Sequence, residues 1–180
     1  VSWPNLQHEF LPMIGEFYRG EARVGDGFQY FTSVMRPRSR GSVRLKSRSA
    51  THAPEIRLNF LTAPSDMQEM KQGVRRTLDM IRQRGWDELR GEEVSPGLDA
   101  NDERALEGWI RSIAGTGYHA VGTCAMGTDA LSVTDAKGLV RGVKSLRIVD
   151  ASLMPRLTTG NTNAPTIMIA EKLANEIRHS

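Results

Sequence analysis

The sequence has little that would mark a membrane protein or a disulfide-bonded protein. It contains one cysteine, Cys124, which rules out an internal disulfide framework and gives no indication of secretion. No apolar run approaches the roughly 18 residues that a membrane span requires, and no charged and then apolar leader opens the chain. These absences predict a cytoplasmic protein without a transmembrane segment.

The remaining composition is that of an ordinary globular protein. Hydrophobic residues make up 39% and charged residues 25% of the 180 positions, enough to bury a sizeable core. This length suits one domain, or one domain with a fragment of another. The chain begins at Val1 rather than at a methionine, and we expect it to be a piece of a longer protein.

The net charge is only +3, but basic residues crowd into one short stretch without an acid among them. They are Arg36, Arg38, Arg40, Arg44, Lys46 and Arg48. Clustered guanidinium groups can bind nucleic acid. However, Val43 and Leu45 alternate with the last basic residues, as in a half-buried strand, and no aromatic residue is interleaved to stack on a base. A solvated hairpin is the favoured interpretation, and no nucleic-acid partner is expected.

Apolar alternation predicts antiparallel strands in the first third of the chain. The pattern Phe28, Tyr30, Thr32, Val34 has the period of a strand, and residues 37–41 have turn composition. Two further strands are predicted at 43–46 and 56–60. The short connections between them favour antiparallel pairing.

Helical spacing predicts two helices after the strands. Ser65 and Gln68 have the spacing of a capping box, and an apolar series follows: Met67, Met70, Val74, Leu78 and Ile81. A second helix is predicted from about Asp102, with its end at Gly115. The apolar side of this second helix is formed by Leu106, Trp109, Ile110 and Ile113.

The last third of the chain is rich in glycine before it returns to regular structure. Residues 146–150 are predicted to form a short strand that ends at Asp150. A final helix is predicted to begin with Asn163 as N-cap and Pro165 in its first turn. Its buried side is expected to carry Ile167, Ala170, Leu173, Ala174 and Ile177. The start of such a helix suits an anionic or carbonyl-like group, because its backbone N–H groups and dipole are positive there.

The stretch GYHAVGTCAMG, residues 117–127, allows several interpretations. Residues 115–120 match the dinucleotide pattern G-x-G-x-x-A, but that pattern needs a preceding strand and a following helix, and neither is predicted here. His119 and Cys124 are too few ligands for a metal site, so no metal is expected. Cys124 could be a nucleophile with His119 as its base, although packing is the commoner role for a cysteine among small residues.

His119 is the strongest functional candidate on chemical grounds. It lies between glycines on an irregular segment, and imidazole is well matched to proton transfer near neutral pH. We interpret His8, His52 and His179 as structural. From spacing alone, His119 remains open between a structural histidine and a base.

Six stretches of the chain resemble the C-terminal part of the glucose–methanol–choline (GMC) flavoprotein oxidoreductases, most closely their choline-dehydrogenase-like branch. They are WPNLQHEFLP, RPRSRGSVRLKS, RGEEVSPG, YHAVGTCAMG, LRIVDASLMP and GNTNAPTIMIAEKLANEIR, in the family's order. The resemblance implies an α+β fold with an antiparallel sheet and helices on one side. Residues 1–114 would form the substrate-binding domain, and residues 115–180 would complete an FAD-binding α/β domain.

The resemblance also implies a reaction and its residues. His119 would take the hydroxyl proton of an alcohol while hydride passes from the substrate carbon to flavin N5, giving the aldehyde or ketone. Asn163 would be its catalytic partner. Asp150, Ala151, Asn163, Pro165 and Thr166 would contact FAD.

Two departures from the family pattern bear on the function. Ala120 stands where choline dehydrogenases usually have proline, which leaves other primary alcohols open as substrates. The chain also has no phosphate-binding glycine fingerprint, so we expect an N-terminal FAD-binding portion to be missing from it. The alternative is a non-catalytic module, derived from the same domain, that binds a ligand or a partner.

Overall fold

The computed structural model describes residues 3–18 and 21–179. In this part of the chain the strands are β1 (Leu6–Leu11), β2 (Ile14–Tyr18), β3 (Glu21–Gly25), β4 (Gln29–Val34), β5 (Ser42–Arg44) and β6 (Glu55–Arg57). The helices are α1 (Pro64–Ile81), α2 (Glu103–Ile113) and α3 (Asn163–Arg178), with single 3-10 turns at Arg84–Trp86 and Ala151–Leu153. Within these ranges no helix is long and apolar enough to cross a membrane.

The chain divides into two compact units. The first comprises residues 1–34 and 61–114, and the second comprises residues 35–60 and 115–180. The predicted division also fell after residue 114, but it assigned residues 35–60 to the first part. The structure groups them with the second unit instead.

The first unit combines antiparallel strands with two helices. β1 pairs antiparallel with β4, with Leu6 opposite Val34, and β2 pairs antiparallel with β3. β4 is the strand predicted from alternation, whereas β1 was not predicted. Helix α1 packs so closely on this strand pair that a Cβ at Gly73 would lie 2.5 Å from Thr32 Cγ2. The mixed, antiparallel α+β class predicted from the sequence is confirmed.

The core of the first unit lies where α1 meets α2. Its buried residues are Met67, Val74, Leu78, Ala100, Leu106 and Ile110. At the edge of this core, Lys71 Nζ lies 2.8 Å from Glu107 Oε2 and 3.1 Å from Glu103 Oε2. The apolar spacing predicted for both helices is therefore confirmed at these core positions, whereas Ile113 is exposed.

The ends of the helices depend on different capping groups. The predicted capping box is wrong, because α1 begins at Pro64 and Ser65 lies inside its first turn. Proline already has a helical φ and has no N–H to satisfy, so it suits this position. The predicted start of α2 is confirmed: Asp102 accepts hydrogen bonds from the N–H groups of Arg104 and Ala105, both at 2.9 Å.

The second unit contains the predicted hairpin in a shorter form. β5 and β6 pair antiparallel, but β6 ends at Arg57 because Asn59 adopts a left-handed φ of 51°. Val43 and Leu45 are 49% and 87% exposed, so the half-buried face predicted for β5 is wrong for this chain. The predicted strand at 146–150 is also wrong. It is reduced to a single bridge between Leu139 and Arg147, which closes a turn with positive φ at Gly142 and Ser145.

Candidate active site

The histidine segment is held by backbone hydrogen bonds to the residues that follow Asp150. Cys124 N–H donates to the carbonyl of Ser152 at 3.1 Å, and Met126 N–H donates to that of Leu153 at 2.9 Å. Gly122 has a φ of +89°, and a Cβ there would lie 3.2 Å from the carbonyl oxygen of Met154. A glycine is therefore needed where the segment passes this backbone.

His119 lies against the start of α3. Its Nδ1 is 3.0 Å from Oγ1 of Thr162, and the backbone N–H of Thr162 points toward the same nitrogen at 3.5 Å. Thr162 is buried, whereas His119 is half-buried. One ring nitrogen thus has a fixed partner within the chain.

The first turn of α3 is not capped in the predicted way. The N-cap is Thr162, and Asn163 is the first helical residue, so the prediction of Asn163 as N-cap is wrong by one position. A threonine at this position usually accepts a hydrogen bond from an N–H in the first turn. Here its backbone angles are helical, with φ −88° and ψ −5°, so its side chain makes no such bond, and its hydroxyl contacts His119.

The predicted partner and cofactor-binding residues lie on two segments next to this contact. Asn163 is exposed, and Pro165 and Thr166 are half-buried in the first turn of α3. Asp150 is the N-cap of the Ala151–Leu153 turn, where its Oδ1 accepts a hydrogen bond from Ser152 N–H at 2.8 Å. His119 therefore contacts the start of α3 directly through its side chain. The segment that carries His119 is also hydrogen-bonded, through its backbone, to the 3-10 turn that follows Asp150.

The buried side predicted for α3 is only partly formed. Leu173 is buried, but Ile167 and Ile177 are 54% and 46% exposed. Leu173 lies near the middle of this face, and the two exposed isoleucines lie toward its ends. The prediction of a fully buried side is therefore wrong for this chain by itself.

The structure adds two residues that the sequence analysis missed. Thr162 contacts His119, but its sequence context shows only a helix start. Tyr118, directly before His119, has a left-handed φ of 61° and an 88% exposed side chain. Such a conformation is rare for a bulky residue and is often found at functional sites.

The alternative sites considered from the sequence find no further support in the geometry. Residues 115–120 follow α2 and lead into irregular backbone, which is the reverse of the dinucleotide-binding context. Cys124 is a half-buried free cysteine whose carbonyl accepts a hydrogen bond from the Thr134 hydroxyl at 3.2 Å. In the described ranges there is no group of three or more histidine, cysteine or acidic side chains that could hold a metal ion.

Known proteins similar to this chain agree on one family. Residues 37–170 match the sequence profile of the family described as GMC oxidoreductase. The chain is 46% identical over 178 residues to an oxygen-dependent choline dehydrogenase of Pseudomonas savastanoi pv. phaseolicola, covering 98% of this chain and 31% of that protein. It is 44% identical to the protein of the same name from Cronobacter sakazakii, covering 98% of this chain and 32% of the relative.

Solved structures show the same similarity in three dimensions. Pyridoxine 4-oxidase from Mesorbium loti matches with a TM-score of 0.81 and 28% identity, over 85% of this chain and 30% of its own. A formate oxidase from Aspergillus oryzae RIB40, described in a study of FAD modification, matches with a TM-score of 0.91 and 25% identity, over 99% of this chain and 32% of its own. The chain thus spans about a third of the length of the relatives that it matches. Because the family match covers well over half of its residues, the chain belongs to the GMC oxidoreductase family.

Proposed function

We propose that this chain is the C-terminal part of an FAD-dependent oxidoreductase that oxidises a primary alcohol, choline or another, to the aldehyde. His119 is its general base. The observation that carries the proposal is the contact between His119 Nδ1 and Thr162 Oγ1 at the uncapped start of α3. With Nδ1 occupied by the protein, Nε2 is the nitrogen through which His119 acts on a substrate.

The residues at the start of α3 fit an FAD cofactor. α3 has 16 residues, and the side chain of Thr162 makes no hydrogen bond to the backbone N–H groups of its first turn. These groups and the helix dipole favour negative charge, and the flavin gains negative charge when it is reduced. We assign the contacts with FAD to Asn163, Pro165 and Thr166, and further contacts to Asp150 and Ala151. FAD supplies the hydride acceptor, at flavin N5.

The proton is moved by the chain's own residues. His119 accepts the hydroxyl proton of the alcohol at Nε2, which makes the substrate oxygen more negative as the carbon loses hydride. The exposed amide of Asn163 donates a hydrogen bond that stabilises this oxygen. A neutral base beside an amide donor is suited to polarise a single hydroxyl group.

We keep the predicted division of labour as part of this proposal. Residues 1–114 bind the substrate, and residues 115–180 complete the FAD-binding domain together with a missing N-terminal portion. Residues 35–60 pack in the second compact unit but are assigned to the substrate-binding part. The two bacterial relatives are named choline dehydrogenases, which favours choline or a similar small alcohol. Ala120 keeps other primary alcohols within the proposal. A cytoplasmic location stays a prediction.

Anaerobic stopped-flow reduction of the flavin tests this proposal in the full-length protein. At saturating alcohol, His119→Ala should slow flavin reduction by roughly 10²–10⁴-fold, the usual contribution of a positioned base. His52→Ala is the matched control, because His52 is exposed and its Nδ1 contacts the Ser47 hydroxyl, five residues away and outside the candidate site. It should reduce its flavin at the wild-type rate.

Equal flavin content of the variants must be established first. If His119→Ala reduces its flavin as fast as wild type, the base is another residue. If the wild-type protein holds no flavin and oxidises none of a panel of alcohols, the non-catalytic binding module is the better description.

A further inference from the structure

Thr162 connects the segment that carries His119 with the first turn of α3. It is 7% exposed, although the residues on either side of it are exposed. Its carbonyl accepts hydrogen bonds from Thr166, through N–H at 3.0 Å and through the hydroxyl at 2.7 Å. Its own hydroxyl is turned toward His119. The carbonyl of Thr162 thus accepts the first hydrogen bonds of the helix, while its hydroxyl contacts His119.

The backbone of Thr162 leaves its hydroxyl available to another segment. A capping residue usually has extended backbone angles, whereas Thr162 has helical ones, with φ −88° and ψ −5°, and its side chain makes no cap bond. Oγ1 instead lies at ordinary hydrogen-bond distance from an imidazole nitrogen. The hydroxyl therefore contributes to the histidine segment and not to the helix.

The partner of Nδ1 decides which nitrogen of a neutral histidine carries the proton. When Oγ1 accepts from Nδ1–H, Nε2 has a free lone pair. When Nδ1 is the acceptor, the proton is on Nε2, and that nitrogen has no lone pair for a substrate proton. The Thr162 N–H also points to Nδ1, and its donation would require the Nδ1 lone pair. At 3.5 Å, however, it lies beyond the usual range of about 2.7–3.2 Å, whereas the hydroxyl at 3.0 Å lies within it and can accept from Nδ1–H.

We propose that Thr162 is a positioning residue that holds His119 in the Nδ1–H tautomer and thereby keeps Nε2 free to accept the alcohol proton. This inference rests on the proposed function of His119. Thr162 itself need not touch substrate or cofactor. It supplies the acceptor that a histidine base requires on its other nitrogen, the relationship that also orients metal-bound histidines through their outer partners.

Two substitutions separate the hydroxyl from the volume of the side chain. Thr162→Val keeps the branched shape and removes Oγ1, whereas Thr162→Ser keeps the hydroxyl and removes a methyl group. Thr77→Val is the matched control, because Thr77 is also a buried threonine, and its hydroxyl contacts Nδ1 of a different histidine, His8, in the first unit. All variants are made in the full-length holoprotein.

The tautomer is read directly by nitrogen-15 NMR of protein labelled at histidine. The couplings of each ring nitrogen to the ring protons identify the protonated nitrogen, and His119→Gln assigns the signal by its loss. Wild type and Thr162→Ser should show the Nδ1–H form of His119, and Thr77→Val should not change it. Thr162→Val should shift the population toward the Nε2–H form. A wild-type protein in the Nε2–H form would overturn the proposal without the need for any variant.

Kinetics provide the second readout. Thr162→Val should lower the limiting rate of flavin reduction by about 10- to 100-fold, the range seen when a histidine loses its outer partner in metal sites. The KM for the alcohol should change much less, and Thr162→Ser should restore the rate. A wild-type limiting rate in Thr162→Val contradicts the inference even if His119→Ala is slow. A fast His119→Ala contradicts the proposed function itself, so the two failures are distinct.

Discussion

Nδ1 of His119 and Oγ1 of Thr162 lie 3.0 Å apart, although 43 residues separate them in the sequence. The contact joins the glycine-rich segment that carries the histidine to the first turn of α3, next to Asn163. Thr162 has helical backbone angles and makes no side-chain cap, so the first turn of α3 is uncapped at this point. The contact thus orients the proposed base beside an uncapped helix terminus.

Asn163 should matter less than His119. We expect Asn163→Ala to lower the rate of flavin reduction by about twofold to tenfold, because it removes one hydrogen bond worth about 0.5–1.5 kcal/mol and leaves the base in place. Asn175→Ala, at an exposed position near the other end of α3, is the control. A loss for Asn163→Ala as large as that for His119→Ala would assign Asn163 an essential part in the proton transfer.

Cys124 should tolerate replacement. Its backbone N–H and carbonyl make the hydrogen bonds that hold the segment, to Ser152 and from Thr134, and Cys124→Ser leaves both groups unchanged. The variant should turn over within about a few-fold of wild type, as is usual for a packing residue. The measurement is steady-state turnover at equal flavin content. Abolished turnover in a folded, flavin-containing variant would make the thiol part of the mechanism.

The close approach of α1 to the strands predicts opposite effects for two glycine-to-alanine substitutions. In an open helical position the change stabilises by roughly 0.5–1 kcal/mol. Gly108 in α2 is open in this sense, since a Cβ there meets nothing within 4 Å, and Gly108→Ala should raise the melting temperature.

Gly73→Ala should do the reverse. Its Cβ would lie 2.5 Å from Thr32 Cγ2 and 3.2 Å from Leu6 Cδ2. Such overpacking costs about 1–3 kcal/mol, which exceeds the gain in helix propensity. Thermal unfolding of both variants beside wild type measures the difference. Equal stabilisation by the two substitutions would mean that α1 lies farther from the strands than described.

His8 should make the first unit less stable in mild acid. Its Nδ1 lies 2.9 Å from Thr77 Oγ1 and 3.2 Å from Thr32 Oγ1, and burial, with a smaller contribution from the positive charge of Arg76, lowers the pKa of its imidazole. In the unfolded chain this imidazole has a pKa of about 6.5, and in the folded chain it binds its proton at a lower pH. The free energy of unfolding is therefore greatest above about pH 6.5 and decreases as the pH falls toward the lowered folded-state pKa.

The substitution His8→Gln isolates this effect, because glutamine can form hydrogen bonds but does not titrate. The melting temperature of wild type should fall more between about pH 8 and about pH 5.5 than that of His8→Gln. Identical decreases in the two proteins would place the responsible group elsewhere.

Local patterns in the sequence were sufficient for α2 and for the family motifs. The start of α2 depends on Asp102 and on two N–H groups within three residues of it, and its buried residues Leu106 and Ile110 follow the helical period. The histidine motif and the GNTNAP motif are contiguous stretches, so one sequence suffices to recognise them, and the GMC family membership follows. Each of these features depends on residues close together in the chain, so the local sequence is sufficient to predict it.

The tertiary structure decided the features that depend on distant residues. The pairing of β4 with β1, the grouping of residues 35–60 with the second unit and the contact of Thr162 with His119 all join segments far apart in sequence. Thr162 shows the physical reason most directly. From the local sequence, Asn163 and not Thr162 is the expected N-cap, and only the fold brings an imidazole from 43 residues away to the Thr162 hydroxyl.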